Sequence, residues 1–212
     1  MRLLVLCRFR LHSNVLHTLF DCLIDSYIEK KVGLAENFLS EPLAAHLKEN
    51  LIALYSGQHL LPAGIGNNAL LVHDNLIRSD KIFWLDPKHN DPHENAFFDL
   101  MDHFIRYLNS TCYTGITGYE FHYTLYEKGA FYKKHFDQFR NNKSRAFSMI
   151  MYLNTGWQEA DGGELCIYHS DHSQMIAPRA GKCVFFKSSE LEHEVLQTHQ
   201  PRLSITGWLK SG

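Results

Sequence analysis

The triplet His-x-Asp occurs three times in this chain of 212 residues, which contains 14 histidines. On an extended strand, residues two positions apart point the same way, so each triplet could offer an imidazole and a carboxylate to one metal ion. The triplet at 89–91 lies in a turn before a helix, and the triplet at 169–171 lies in a polar run typical of an exposed hairpin tip. We therefore expect the third, His135 and Asp137 at the end of an aromatic-rich segment, to bind the metal.

The last predicted strand, residues 202–209, provides a second group of candidates. Its apolar and polar residues alternate, which separates Leu203, Ile205 and Leu209 from Arg202, Ser204, Thr206 and Trp208. Such a strand could leave its polar face in water. Alternatively, the polar face lines the inside of a barrel. In that arrangement Arg202 requires an anionic partner, because an unpaired buried charge is very costly.

The order of these residues resembles that of the iron(II)- and 2-oxoglutarate-dependent dioxygenases, and specifically their prolyl 4-hydroxylase branch. His193 follows His135 after 58 positions, Arg202 follows nine positions later, and no other histidine has an Arg or Lys at that distance. The other matching segments are 126–132, 152–154, 162–165, 178–188 and 193–195. The segment 78–85 resembles the stretch before the core of the oxygen-sensing prolyl hydroxylases and their bacterial relatives. The resemblance covers roughly residues 76–209.

The resemblance implies an enzyme that hydroxylates a peptidyl proline, with trans-4-hydroxylation as the expected outcome. In this family, 2-oxoglutarate is decarboxylated to succinate and CO2 during the reaction. The implied cofactors are Fe2+, 2-oxoglutarate as co-substrate and O2, with ascorbate as the reductant. The implied partner is a cytosolic protein or peptide bearing proline, and the bacterial relatives suggest a translation elongation factor.

The resemblance also assigns the iron site and the co-substrate site. His135, Asp137 and His193 correspond to the iron ligands, and two histidines with one carboxylate are the facial triad of non-haem Fe(II) oxygenases. Arg202 corresponds to the residue that binds the far carboxylate of 2-oxoglutarate, for which a guanidinium can make two parallel hydrogen bonds. Tyr152 corresponds to a tyrosine whose hydroxyl binds the same carboxylate.

Four more positions complete the site that the resemblance implies. Tyr126 matches a tyrosine of the co-substrate pocket, and Thr206 is expected to face the metal region. Arg145 matches a substrate-side arginine, and we expect Asp80 to pair with it across the entrance. We assign no chemistry to the Gly162–Gly163 pair beyond a tight turn.

Three alternatives remain open from the sequence. The same iron chemistry could act on a free amino acid or another small molecule. An open entrance would favour a protein substrate over such a metabolite. A jelly-roll module could bind a metal without turnover, although it would have no need for Arg202 and Tyr152. A zinc hydrolase built on the same three ligands would leave Arg202 without a role.

The elements that must position these residues change character along the chain. Apolar residues at helical spacing predict a helix over 15–28 ending near Gly33, a second from Ser40 to Gly57, and a third that Asp91 caps. A Gly- and Asn-rich loop is predicted at 62–68. After residue 115 the period becomes two, with strands at 119–126, 131–137, 146–153, 164–169, 182–187, 193–197 and 202–209.

Short strands at this spacing predict a sandwich or barrel, and the resemblance implies a double-stranded β-helix, or jelly roll. We therefore expect an α+β fold whose N-terminal helices pack on the sheet. The prediction is a single domain, 1–212, in which a mainly helical part (1–115) covers a catalytic core (116–212).

Composition excludes several other classes of protein. The formal net charge is −2, from 21 Lys and Arg against 23 Asp and Glu, which argues against nucleic acid as a partner. No apolar run approaches the ~18–20 residues that span a bilayer, and the short apolar start does not form a signal peptide. The five cysteines include no C-x-x-C motif, which argues against a disulfide framework. We expect a cytoplasmic protein, and the sequence predicts no oligomeric state.

Overall fold

The structure, a computed structural model, describes residues 2–64, 74–138 and 142–212, with side chains from residue 15 onward. Most of the loop predicted at 62–68 lies outside these ranges. The strands are β1 (Val32–Ala35), β2 (Leu61–Pro62), β3 (Lys81–Trp84), β4 (Ile116–Tyr126), β5 (Tyr132–His135), β6 (Arg145–Tyr152), β7 (Leu165–Tyr168), β8 (Ser173–Ile176), β9 (Cys183–Lys187), β10 (Glu192–Val195) and β11 (Arg202–Ser211).

The three helices are α1 (Arg2–Lys30), α2 (Glu41–Ser56) and α3 (Pro92–Thr111). The predicted caps of α2 and α3 are confirmed. The Ser40 hydroxyl accepts a hydrogen bond from the backbone of α2, and the Asp91 carboxylate accepts two from the first turn of α3. No helix in the described ranges is long and apolar enough to cross a membrane.

Helix α1 ends at Lys30, close to the predicted end, but Gly33 is not the residue that terminates it. Lys31, with φ of +62°, ends the helix, and Gly33 lies in β1. A Cβ atom at position 33 would lie 2.5 Å from the Leu23 carbonyl oxygen, so this glycine allows β1 to approach α1 closely.

Two antiparallel sheets form the predicted jelly roll. The larger sheet has the strand order β1-β9-β6-β11-β4-β3-β2, and the smaller sheet has the order β5-β10-β7-β8. The seven strands predicted from the sequence are present, with bounds that differ by a few residues. The structure adds β1, β2, β3 and β8, the first three of which fall in the part predicted to be mainly helical.

The two faces of the large sheet have different neighbours. Helix residues such as Phe20, Leu47 and Phe104 share one apolar core with Leu203, Ile205 and Leu209 of β11. A second apolar core fills part of the space between the two sheets. The polar face of β11 therefore points inward, between the sheets, as the barrel interpretation predicted.

Candidate active site

A cavity of about 1020 Å³ lies between the two sheets. Eight of the nine predicted site residues line it, namely Asp80, Tyr126, His135, Asp137, Arg145, His193, Arg202 and Thr206. The ninth, Tyr152, is fully buried and packs against Arg202. The fold thus brings together residues that are separated by more than a hundred positions in the chain.

His135, Asp137 and His193 form a group suited to a metal ion. His135 and His193 are paired on the neighbouring strands β5 and β10. Their Nε2 atoms each lie 3.5 Å from a different carboxylate oxygen of Asp137. The ligand atoms of all three residues lie within 4.8 Å of one another, and no other such group occurs in the described part of the chain. Two imidazoles and a carboxylate converging from one side fit the donor set of a non-haem Fe(II) site.

Backbone carbonyls fix the orientation of both imidazoles. The Nδ1 atom of His135 donates to the Lys133 carbonyl at 2.7 Å, and that of His193 donates to the Leu191 carbonyl at 3.2 Å. Each Nε2 atom therefore presents its lone pair to the site. Burial lowers the pKa of His193 to about 4, so this imidazole is neutral and able to bind a metal at pH 7.

A buried serine holds the Asp137 carboxylate and is itself in contact with a second buried serine. The Ser148 hydroxyl donates to Oδ2 of Asp137 at 2.6 Å and lies 2.9 Å from the Ser188 hydroxyl. Burial alone would raise the pKa of Asp137, but the nearby imidazoles and this hydrogen bond bring it well below its usual value. Sequence analysis missed both serines. Ser148 could have been noticed as a small polar residue on the inward face of an otherwise apolar strand.

Arg202 and Tyr152 provide an unfilled polar site beside the metal group. Arg202 is 3% exposed, and its Nη2 atom has no hydrogen-bond partner among the described residues. The Tyr152 hydroxyl also has no partner there, and burial raises its pKa to about 12, so it remains a donor. A buried cation and a buried O–H group without acceptors are costly unless an anion joins them. A carboxylate satisfies both groups, so these residues fit the distal end of 2-oxoglutarate.

The rest of the Arg202 side chain is held in place by its neighbours. Its Nε atom donates to the Gly163 carbonyl at 2.8 Å, and its guanidinium carbon lies 4.9 Å from the centre of the Tyr126 ring. Gly163 has φ of +76°, and a Cβ atom there would lie 3.0 Å from Cδ of Arg202. Position 163 thus requires glycine both for its backbone conformation and for the space that Arg202 occupies.

The predicted Asp80–Arg145 pair is wrong. Both oxygens of Asp80 accept hydrogen bonds from Arg78, at 2.8 and 2.6 Å. The Arg145 guanidinium donates to Glu120 and stacks 3.3 Å from the centre of the Trp208 ring. Asp80 thus pairs with a residue two positions before it, and Arg145 pairs with Glu120 of β4. Both residues nevertheless line the cavity.

The Arg78–Asp80 pair connects to the metal group through an aromatic ring. The guanidinium of Arg78 lies 4.1 Å from the centre of the Tyr132 ring. Tyr132 in turn stacks on the imidazole of His135, with ring centres 3.5 Å apart and planes 15° from parallel. Asp80 and Arg78 therefore support the position of a metal-site histidine, a link that required the tertiary structure to be seen.

The pairing of β4 with β11 gives the order of the cavity residues along these two strands. Arg202 lies opposite Tyr126, Thr206 opposite His122, and Trp208 opposite Glu120. Thr206 is half-buried, and its hydroxyl lies 3.4 Å from that of Ser204. Arg202 and Tyr126 thus lie at one end of this part of the cavity wall, and the Arg145–Trp208 stack lies at the other.

Comparison with known proteins agrees with this geometry. The model of the 2OG-Fe(II) oxygenase superfamily matches residues 121–210. A prolyl-4-hydroxylase from Pseudomonas putida is 31% identical, with a TM-score of 0.82 over 91% of this chain and 99% of that one. A prolyl hydroxylase from Trichoplax adhaerens, in complex with a hypoxia inducible factor oxygen degradation domain peptide fragment, is 22% identical, with a TM-score of 0.85 over 94% and 92%.

A viral collagen prolyl hydroxylase from Paramecium Bursaria Chlorella virus-1, solved as a 2OG complex, shares the fold. Its TM-score is 0.60 at 20% identity, over 86% of this chain and 97% of that one. The Pseudomonas putida similarity extends over nearly the full length of both chains, and the superfamily match spans the three metal-site residues and Arg202. The chain therefore belongs to the 2OG-Fe(II) oxygenase superfamily, in its prolyl-4-hydroxylase-like branch, and is a dioxygenase that uses Fe(II), 2-oxoglutarate and O2.

Proposed function

We propose that this enzyme hydroxylates a prolyl residue of a cytosolic protein, at C4 and in the trans configuration, and that residues 1–212 work as one unit. The similarity that carries this proposal is the one to the Pseudomonas putida prolyl-4-hydroxylase, at 31% identity over almost the whole of both chains. The complex of the Trichoplax adhaerens relative with a peptide fragment supports a polypeptide substrate.

The three metal-site residues have one role in this proposal. His135, Asp137 and His193 would hold Fe(II) as its three protein ligands, and a site with three protein ligands has room for 2-oxoglutarate and O2. With these groups bound, one oxygen atom of O2 enters a substrate C–H bond as a hydroxyl group, and the other enters succinate as 2-oxoglutarate loses CO2. Ascorbate is the reductant that we propose keeps the iron in its active state.

The co-substrate residues bind and orient. Arg202 and Tyr152 hold the distal carboxylate, which supplies the acceptor that their donors lack among the residues the structure describes. Tyr126 covers one side of the Arg202 guanidinium, and Thr206 faces the space between this anchor and the cavity entrance. The protein thereby fixes the co-substrate against the metal and keeps bulk water away from it.

The cavity favours a protein substrate over a small metabolite. Its volume of about 1020 Å³ lies at the upper end of the roughly 300–1,000 Å³ of small-molecule sites. Three large apolar side chains that line it, Leu61, Trp84 and Phe136, are 68%, 46% and 48% exposed. Exposed apolar groups around a cleft are typical of a surface that binds another chain. We propose that Arg145 and Asp80 belong to the wall against which this chain lies.

The test is hydroxylation in a dialysed extract of the cells that make the protein. Purified enzyme, Fe(II), 2-oxoglutarate, ascorbate and O2 are added, and new hydroxyproline is sought by peptide mass spectrometry, with translation elongation factors included as purified substrates. We expect hydroxyproline with the native enzyme and none with His135→Ala. His169→Ala is the matched control, because it changes a histidine of the same His-x-Asp pattern outside the site, and it should retain the activity. A modified residue other than proline, or no modified residue with the native enzyme, would contradict the proposal.

A further inference from the structure

His122 lines the cavity but belongs to neither the metal group nor the co-substrate anchor. It lies in β4, is 3% exposed, and pairs with Trp84 of β3 on one side and Thr206 of β11 on the other. Its ring centre lies 5.0 Å from that of Trp84 and 5.6 Å from that of Trp208. Two indoles therefore hold the imidazole in a fixed orientation.

The contacts of Nδ1 favour one of the two neutral tautomers of His122. Its Nδ1 atom lies 3.2 Å from the carbonyl oxygen of Tyr123 and 2.9 Å from the hydroxyl of Thr124. We assign the proton to Nδ1, because the Tyr123 carbonyl oxygen can only accept and the Thr124 hydroxyl can accept as well; in this tautomer Nε2 is an acceptor. Burial, with a smaller contribution from the positive charge of Arg78, lowers the pKa of His122 to about 4, so the ring is neutral at pH 7.

Two polar atoms on this side of the cavity make no hydrogen bond within the described part of the protein. Nε2 of His122 has no hydrogen-bond partner there, and the residue lines the cavity. Nε1 of Trp208, a donor on the same wall, is buried and also has no partner among the described residues. A buried N–H without an acceptor costs ~1–3 kcal/mol. These two rings, whose centres lie 5.6 Å apart, thus carry one acceptor and one donor, the same pair of functions that the N–H and C=O groups of a polypeptide backbone can satisfy.

The position of His122 suits contact with the substrate and not with the metal. In the sheet, Thr206 separates His122 from Ile150 of β6, the strand that also carries Ser148. Two strand spacings place His122 about 10 Å from that strand. If the target proline lies at the metal group, His122 therefore faces a neighbouring residue of the substrate chain. Proline itself has no N–H, so the donor must come from an adjacent residue.

We propose that His122 is a specificity-determining residue for the substrate polypeptide. Its Nε2 atom accepts a hydrogen bond from the backbone N–H of a residue next to the target, and Trp208 donates to a carbonyl of the same segment. This inference rests on the proposed function, since it takes the substrate to be a polypeptide.

The first test measures how cell extract stimulates succinate formation by the enzyme. His122→Phe keeps a ring and removes the acceptor, whereas His122→Gln can return an oxygen close to the position of Nε2. We expect the extract concentration that gives half-maximal stimulation to rise about tenfold in His122→Phe, the effect of one lost hydrogen bond. His122→Gln should recover most of this loss, and His103→Phe, at an exposed histidine of α3, should match the native enzyme. The rise in melting temperature on adding 2-oxoglutarate shows that each variant is folded.

Each result decides the inference. If His122→Phe responds to extract as the native enzyme does while the native enzyme forms hydroxyproline, only the role of His122 is overturned. If His122→Phe loses the response but the modified residue is not proline, the role of His122 stands and the proposed target falls. If protein in the extract does not stimulate the native enzyme, both are overturned.

A second test needs no substrate. Imidazole ¹⁵N spectra of the native protein should contain the signals of a neutral ring that are missing in His122→Phe. At pH 7 these signals should show the proton on Nδ1. A proton on Nε2 in that ring would overturn the inference, because Nε2 could not then accept.

Discussion

Replacing Arg202 by methionine should raise the KM for 2-oxoglutarate about a thousandfold. The guanidinium is buried, its Nη2 atom has no partner among the described residues, and its Nη1 atom makes only a long contact, 3.4 Å, with the Ser204 hydroxyl. Two donors are thus available to one carboxylate. Breaking a buried ion pair by removing one partner costs ~3–5 kcal/mol. About 4 kcal/mol corresponds to roughly three powers of ten in binding.

Steady-state succinate formation at varied 2-oxoglutarate measures this effect. Tyr152→Phe is the graded control, because it removes one hydroxyl donor and should raise the KM by about tenfold to a hundredfold. Binding of Mn(II), followed by electron paramagnetic resonance, should change far less than the KM, since Arg202 does not belong to the metal group. A rise in KM below about tenfold for Arg202→Met would refute the assignment of Arg202 as the co-substrate anchor.

The same pairing has a consequence for stability. Native enzyme with 2-oxoglutarate at a hundred times its Kd gains about 2.7 kcal/mol of unfolding free energy. A thousandfold weaker affinity removes nearly all of that gain at the same concentration. The increase in melting temperature caused by 2-oxoglutarate should therefore be lost in Arg202→Met and retained in part in Tyr152→Phe.

Three further predictions follow from other contacts. Ser148→Ala should weaken Mn(II) binding by ~10–100-fold, because it frees the Asp137 carboxylate; unchanged affinity would contradict this, and Ser148→Thr should bind normally. Gly163→Ala should raise the KM for 2-oxoglutarate, since the new Cβ atom displaces Arg202; a native KM would show that the turn adapts. His122 has a folded pKa of about 4 against about 6.5 unfolded. The unfolded state therefore binds more protons in this window, and stability falls as pH drops from 6.5 to 4. His122→Phe should reduce the difference in unfolding free energy between pH 7 and pH 4 by about 3 kcal/mol, measured in urea; an unchanged difference would contradict the burial of a neutral ring.

The main residues of the site could be predicted because their order and spacing resemble those of the prolyl 4-hydroxylase branch, and local periodicity added which side chains share a face. Alternation along residues 202–209 places Arg202 and Thr206 on one face whatever the rest of the fold does. The spacing of His193 and Arg202 adds a constraint that a chance histidine does not meet. The third helix was equally accessible, since Asp91 and the apolar stripe that follows it lie within a few turns of chain.

Other features depend on contacts between distant residues and left little trace in the sequence. Strands β1, β2 and β3 have two to four residues each and interrupt the part of the chain whose apolar spacing predicts helices, and β8 directly follows the polar run around 169–171. The pairing of Asp80 with Arg78, and not with Arg145, depends on how the chain turns before β3. The roles of Ser148 and Gly163 depend on which side chains the other strands bring next to them.

Single-turnover oxidation of 2-oxoglutarate tests the central claim most directly, namely that His135, Asp137 and His193 form the iron site of a dioxygenase. Enzyme loaded with Fe(II) and 2-oxoglutarate under anaerobic conditions is mixed with O2, and succinate is quantified by mass spectrometry. The account predicts about one succinate per enzyme for the native protein and for His169→Ala, and none for His193→Ala. Equal succinate from His193→Ala, or none from the native enzyme with Fe(II) bound, would contradict it.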